Sequence, residues 1–156
     1  MLLDTNRSDN CFSKELFLPF HLADPAGILF FGHIFPLSHQ LFETFILEKL
    51  GIHWTEWFQN PEWVAPIKSA EAAYHLPLQA GSSCEATLEI SALRTHSFEL
   101  TASFSQKNQM CSQVKLVAVF CSRLELKKIP IPLSILKKLQ KTQKALAYER
   151  PHYPSS

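Results

Sequence analysis

No CxxC pair occurs in the sequence, and its four cysteines, Cys11, Cys84, Cys111 and Cys121, stand far apart. That spacing supplies neither a zinc-ribbon signature nor a compact disulfide framework, so free thiols in a reducing compartment are expected. A charge excess of one sign is also missing. The net charge is +1, which lacks the basic surplus of a nucleic-acid binder, and no helix-turn-helix pattern is present. The stretch MLLDTNRSDN has no apolar core of the signal-peptide kind, and Pro-Ser-Ser is no peroxisomal address. A cytoplasmic location is therefore expected. The most apolar stretch, Ile28 to Leu50, is interrupted by His33, Pro36, His39, Glu43, Glu48 and Lys49. A membrane span rarely tolerates so many polar groups near its middle, so the stretch reads as a buried helix. Internal repeats and low-complexity segments are absent.

What remains is a chain of 156 residues, the size of one domain. Hydrophobic residues make up 46% and charged residues 19%, a balance that supports a packed core and argues against disorder. Twelve phenylalanines point to a large apolar interior or an apolar ligand site.

The pattern divides into a flexible segment over residues 1–13, a folded domain over 14–128, and a C-terminal helix and tail over 129–156. A first strand is expected from Glu15 to about Leu22, ended by the turn chemistry of Asp24-Pro25-Ala26-Gly27. From His33 to Leu50, apolar residues fall in two helical rows. One runs through Ile34, Leu37, Leu41 and Phe45, and the other through Phe35, Phe42 and Ile46. Pro36 sits in the first turn and Gly51 follows the end. A short connection with Trp54, Trp57 and Pro61 leads to a strand from Trp63 to about Tyr74, weakened by Pro66. Ala86, Leu88, Ile90 and Ala92 then alternate with Thr87, Glu89 and Ser91. Phe98, Leu100, Ala102 and Phe104 alternate with Glu99, Thr101 and Ser103, the period of half-buried antiparallel strands. Val114 to Phe120 is continuously apolar and reads as a strand buried on both faces. Leu133, Leu136 and Leu139 begin a helix with Lys137, Lys138, Lys141 and Lys144 on a solvated side. PHYPSS reads as a tail. The expected class is α+β, one antiparallel sheet curled around one long central helix, with a second copy covering the sheet as a homodimer or homotetramer.

Chemistry concentrates in His21-Leu22-Ala23-Asp24-Pro25-Ala26-Gly27-Ile28-Leu29-Phe30-Phe31-Gly32-His33. One carboxylate, Asp24, stands at a strand end just before a helix N-terminus, where N–H groups are unpaired and partial positive charge collects. Donors there stabilise the oxyanion of acyl transfer, and a carboxylate beside them attacks a carbonyl or takes a proton from water. The competing reading is that Asp24 simply opens a type I turn. Glu43, further along the helix, is open between a pocket role and a structural pairing. Ser69 is open between a hydrogen-bond donor near the reacting carbonyl and an ordinary strand-surface residue. His33 and His39 read as hydrogen-bonded packing residues, and the seven histidines form no paired metal spacing.

DPAGILFFGHIF resembles the active-site segment of the 4-hydroxybenzoyl-CoA thioesterase family of hotdog-fold proteins. The resemblance continues through His39-Gln40-Leu41-Phe42-Glu43, Ala65-Pro66-Ile67-Lys68-Ser69, Pro77 with Gly81, and Arg94-Thr95-His96-Ser97-Phe98. It covers most of residues 15–125, and HLADPAG and SHQLFE look most similar to the 1,4-dihydroxy-2-naphthoyl-CoA hydrolases within it. The resemblance implies hydrolysis of an acyl-CoA thioester, with an aromatic acyl group favoured and no metal or redox cofactor, coenzyme A being part of the substrate. Asp24 matches the catalytic aspartate, as nucleophile or general base. Phe31 matches the residue whose backbone N–H polarises the thioester carbonyl, and Gly27 gives the tight turn beside the substrate. Arg94 and His96 match the basic segment that holds the phosphates of coenzyme A, near a subunit boundary. Three positions depart from the pattern. Leu22 stands where many relatives carry a second aspartate, Phe31 where many carry a histidine, and Thr95 where the benzoyl-CoA enzymes carry a second arginine. A thioesterase for aliphatic acyl-CoA is the runner-up within the class, and a module that binds acyl-CoA without cleaving it is the alternative from another functional class.

Overall fold

The computed structural model describes residues 12–147, with side chains described to residue 143. Cys11, most of the flexible segment expected at the N-terminus, the Lys144 side chain and PHYPSS lie outside the described residues.

The described residues begin with β1 (Phe12–Leu18), followed by a 3₁₀ turn at Phe20–Leu22 and a second at Phe31–His33. The second turn leads into α1 (Ile34–Glu48), and α2 (Trp54–Phe58) comes next. Then follow β2 (Trp63–Val64), β3 (Ile67–Tyr74), β4 (Ser82–Leu93), β5 (Ser97–Gln106), β6 (Gln109–Val119), β7 (Cys121–Ser122) and α3 (Leu133–Ala147). Five strands form one antiparallel sheet in the order β1-β4-β5-β6-β3, while β2 and β7 pair separately.

The two apolar rows of α1 explain where the core sits. Ile34, Leu37, Leu41, Phe42, Phe45 and Ile46 are all buried. They face the inward residues of the sheet, including Ala86, Leu88 and Ile90 of β4, Phe98, Leu100 and Phe104 of β5, and Val114 and Leu116 of β6. Each large apolar side chain buried this way contributes roughly 1.5–3 kcal/mol. The helix interior also holds one polar residue, Ser38, whose hydroxyl donates to the Ile34 carbonyl at 2.7 Å. At the far end of α1, aromatic rings meet edge to face: Trp57 lies 5.3 Å from Trp63, 5.8 Å from Phe42 and 5.8 Å from Phe120. This cluster holds two of the three tryptophans and two of the twelve phenylalanines.

Several boundaries differ from the sequence reading, each for a local reason. β1 starts at Phe12 rather than Glu15, because its register with β4 runs from Phe12 opposite Leu88 to Leu18 opposite Ser82. It ends earlier as well, where Pro19 and the 3₁₀ turn remove its ladder partners. The strand expected from Trp63 to Tyr74 is divided at Ala65-Pro66, since proline cannot donate to the ladder. The alternation in β4 slips at a bulge between Ile90 and Ala92, leaving Ala92 half-buried. β6 is buried on one face only, with Lys115 exposed and Val117 and Val119 half-buried on the other. Trp54–Phe58, read as part of a connection, forms α2, and His53 caps it by accepting the Thr55 N–H at 3.3 Å. In α3, Ile135 and Leu139 are buried, and Lys138 reaches across to donate to the Leu50 carbonyl at 3.1 Å. That lysine therefore ties α3 to the end of α1, while Lys137 and Lys141 remain exposed.

Candidate active site

The segment that carries Asp24 is a tight hairpin. Ala23 bridges Leu29, the Asp24 N–H donates to the Ile28 carbonyl at 2.8 Å, and the Gly27 N–H donates to the Asp24 carbonyl at 3.0 Å. Gly27 has φ +78°, the left-handed conformation that glycine adopts at no steric cost. Nothing lies within 4 Å of where a Cβ would stand, so backbone conformation alone selects glycine here. The hairpin is pinned from outside by the Leu29 N–H donating to Leu78 at 2.8 Å and the Ala80 N–H donating to Gly27 at 3.3 Å.

Inside that turn the Asp24 side chain is held by its own backbone. Its Oδ1 accepts the Ala26 N–H at 2.8 Å, as Asp does when it stabilises a turn. The turn-former reading is therefore met. It leaves Oδ2 without a bond to this turn, so the same carboxylate is oriented and retains an oxygen for chemistry.

Phe31 opens the 3₁₀ turn that runs into α1, with the Ile34 N–H donating to its carbonyl. The N–H groups at such a start have no carbonyl partner within the helix and carry its partial positive charge. The Phe31 ring is 63% exposed, so it is open to a ligand or a second copy. Asp24 and Phe31 both line one cavity of about 430 Å³, with Ile28, Leu29, Tyr74 and Ser112 among the other walls. The walls are mainly apolar and aromatic, and Asp24 is the carboxylate among them. Tyr74, which the sequence reading did not single out, donates its phenol to the Phe31 carbonyl at 2.5 Å.

The remaining candidates lie elsewhere. Glu43 is exposed on α1, and its Oε2 stands 3.6 Å from His39 Nδ1 one helical turn away. His39 also packs edge to face on Phe42 at 5.8 Å and, with Trp57 and Phe58, lines a separate cavity of about 270 Å³. His33 packs edge to face on Phe30 at 5.5 Å. Ser69 is half-buried in β3 opposite Val117 and does not line the Asp24 cavity. Arg94 is exposed in the β4–β5 turn, where its N–H donates to the Ser97 carbonyl at 2.9 Å. His96 follows in the same turn, and its buried Nδ1 has no hydrogen-bond partner among the described residues. Asp24 sits near the start of β4 and Arg94 beyond its end. The 12 residues of β4 separate them by about 40 Å of strand path, so a single copy does not bring them to one pocket. Among the described residues, no three His, Cys, Asp or Glu side chains converge on a metal-sized site. Likewise, no helix there is long and apolar enough to cross a membrane. Cys84, Cys111 and Cys121 are free thiols. Burial pushes the Cys84 thiol up to about 11, with Cys111 adding to the shift.

No family model matches the chain. The 1,4-dihydroxy-2-naphthoyl-CoA hydrolase of Microcystis aeruginosa is 27% identical over 112 residues, spanning 72% of this chain and 80% of that protein. The enzyme of the same name from Thermosynechococcus vestitus is 27% identical over 101 residues, spanning 58% and 68%. Among solved structures, the 1,4-dihydroxy-2-naphthoyl-CoA thioesterase of Synechocystis superposes with a TM-score of 0.76 at 19% identity. That match covers 83% of this chain and 96% of the other. A gentisyl-coenzyme A thioesterase superposes with a TM-score of 0.70 at 23% identity, covering 79% and 98%. The sheet wrapped around α1 is thus the hotdog fold, and the chain is a sequence relative of the 1,4-dihydroxy-2-naphthoyl-CoA hydrolases.

Proposed function

We propose that this chain hydrolyses an acyl-CoA thioester to a free acid and coenzyme A, with an aromatic acyl group as the favoured substrate. The observation that carries the reading is the shared cavity: an oriented carboxylate and a helix start open onto one apolar space with aromatic walls. The names of the relatives support the same chemistry and make dihydroxynaphthoyl-CoA the first substrate to test.

In the proposed reaction the thioester carbonyl oxygen lies toward the Phe31 N–H. Negative charge grows on that oxygen as the carbonyl carbon becomes tetrahedral, and a pre-placed donor lowers the barrier most at that point. Asp24 supplies its free oxygen to the carbon, or takes a proton from the water that attacks it. Collapse of the tetrahedral species breaks the C–S bond and expels coenzyme A as a thiolate, which takes up a proton given up by water. Where Asp24 attacks, the mixed anhydride that forms is then hydrolysed by water, and either route consumes one water and regenerates the Asp24 carboxylate. Gly27 serves by holding the hairpin tight beside the substrate.

Arg94 and His96 are proposed to hold coenzyme A phosphates. Their separation from Asp24 along β4 supports an assembly in which that segment serves a substrate bound at another copy. A homodimer or homotetramer is proposed accordingly. Among the described residues β3 is an edge strand with one side unpaired, and the rings of its own Tyr74 and of Phe31 are exposed.

The test is thiol release from a panel of aromatic and aliphatic acyl-CoAs, comparing the parent chain with Asp24→Asn. Turnover of an aromatic member, abolished by the substitution, is the expected result. Equal turnover by both proteins removes Asp24 from the mechanism. Acyl-CoA binding without any release assigns the chain as a binding module instead.

A further inference from the structure

Tyr74 is the last residue of edge strand β3, and its phenol donates to the Phe31 carbonyl at 2.5 Å across 43 positions of sequence. The same carbonyl accepts the Ile34 N–H as the 3₁₀ turn closes. The two rings meet edge to face at 6.5 Å with planes 84° apart, and both line the cavity of Asp24. The sheet therefore grips the helix start at one peptide group, through a hydrogen bond and a ring contact together.

That peptide group joins Phe31 to Gly32. A peptide is planar, so fixing the Phe31 carbonyl fixes the direction of the Gly32 N–H in the same plane. The Phe31 N–H lies in the preceding peptide, so the same contact restrains it only through the shared Phe31 Cα. A carbonyl that accepts two hydrogen bonds is polarised, and its partner N–H becomes a stronger donor. Resting on the thioester reading above, we infer that Tyr74 is a positioning residue, which holds the Phe31–Gly32 peptide so that the N–H groups of the helix start meet the oxyanion. Its hydroxyl acts through the Phe31 carbonyl. Among the described residues β3 is paired on one side only, by β6, with Tyr74 opposite Ser112. The contact therefore couples the position of the donors to the seating of that edge strand.

The experiment compares the parent chain with Tyr74→Phe, which keeps the ring and removes the donor, and with Tyr74→Leu, which removes both. Steady-state turnover of benzoyl-CoA or 4-hydroxybenzoyl-CoA is read together with amide exchange at Phe31, Gly32 and His33. Misplacing a catalytic donor costs on the order of tenfold to a hundredfold in rate. Tyr74→Phe is accordingly expected to lower kcat about tenfold, leave KM unchanged, lower the melting temperature by a few degrees at most and speed exchange of those amides. A kcat within twofold of the parent overturns the inference. A raised KM with kcat retained also overturns it, because it marks Tyr74 as a substrate contact. Absence of turnover in the parent on every acyl-CoA defeats the proposed reaction and this role together, whereas an active parent matched by Tyr74→Phe defeats the role of Tyr74 alone.

Discussion

The Phe30 N–H donates to the Leu22 carbonyl at 2.9 Å, closing the neck of the hairpin that contains Asp24. That bond brings the two ends of the segment together. Asp24 lies just inside the neck and Phe31 just beyond it, so a carboxylate and a helix start that are seven residues apart in sequence share one cavity wall. A longer or looser connection would leave the spacing between them undefined.

Asp24 carries two separable duties. Asparagine preserves an oxygen for the Ala26 N–H, so Asp24→Asn should melt within a degree or two of the parent while losing at least a hundredfold in kcat. Asp24→Ala also removes the turn bond and should cost roughly 1 kcal/mol of stability. Denaturant titration of both variants beside thiol-release assays checks this, and equal stability losses in the two would contradict it.

Phe31 is proposed to act through its backbone, while its exposed ring borders the cavity. Phe31→Ala should therefore retain kcat within a few-fold and raise KM for aromatic acyl-CoAs. A collapse of kcat with KM unchanged would show that the ring holds the turn in place.

Gly27 and Gly81 share φ +78°, but they differ in surroundings. An added Cβ at Gly27 meets open space, whereas at Gly81 it would stand 2.7 Å from Phe20 Cε2. Gly27→Ala should cost roughly 1–2 kcal/mol from backbone strain alone. Gly81→Ala should cost more, because the Phe20 ring must also move. Urea unfolding of the pair gives the order directly, and equal costs would mean that the ring yields freely.

Cys84 is buried and its thiol titrates at about 11, above the ordinary 9.0. The folded chain then keeps its proton while the unfolded chain has released it. Stability from this group is complete below pH 9 and drains away as pH rises through 11. Thermal melts from pH 8 to 11 should fall less steeply for Cys84→Ala than for the parent. Parallel slopes would assign the alkaline loss to other groups.

Local chemistry made part of the site readable in one dimension. Asp-Pro-Ala-Gly specifies its turn through residues within four positions of each other, and the hydrogen bonds at Asp24 and Gly27 agree with that reading. The two apolar rows of α1 follow from helical geometry, and six of their seven members are buried. Tyr74 gave no such signal, because a tyrosine at a strand end acquires its role only when β3 lies beside the helix start. The separation of Arg94 from Asp24 was hidden for the same reason: it depends on the direction and length of β4, and the residues of a turn do not encode either.

The sequence by itself determined what short-range physics controls. It set the left-handed glycine of the hairpin, the apolar faces of helix and strands, and the carboxylate placed before a helix N-terminus. Only the tertiary structure decided which of these features meet. It seated Tyr74 on the Phe31 carbonyl, turned Glu43 outward to His39, and joined Asp24 and Phe31 in one cavity apart from Arg94. The physical reason is range: turns and periodicity arise between near neighbours, while a cavity is built by strand order and register across the whole chain.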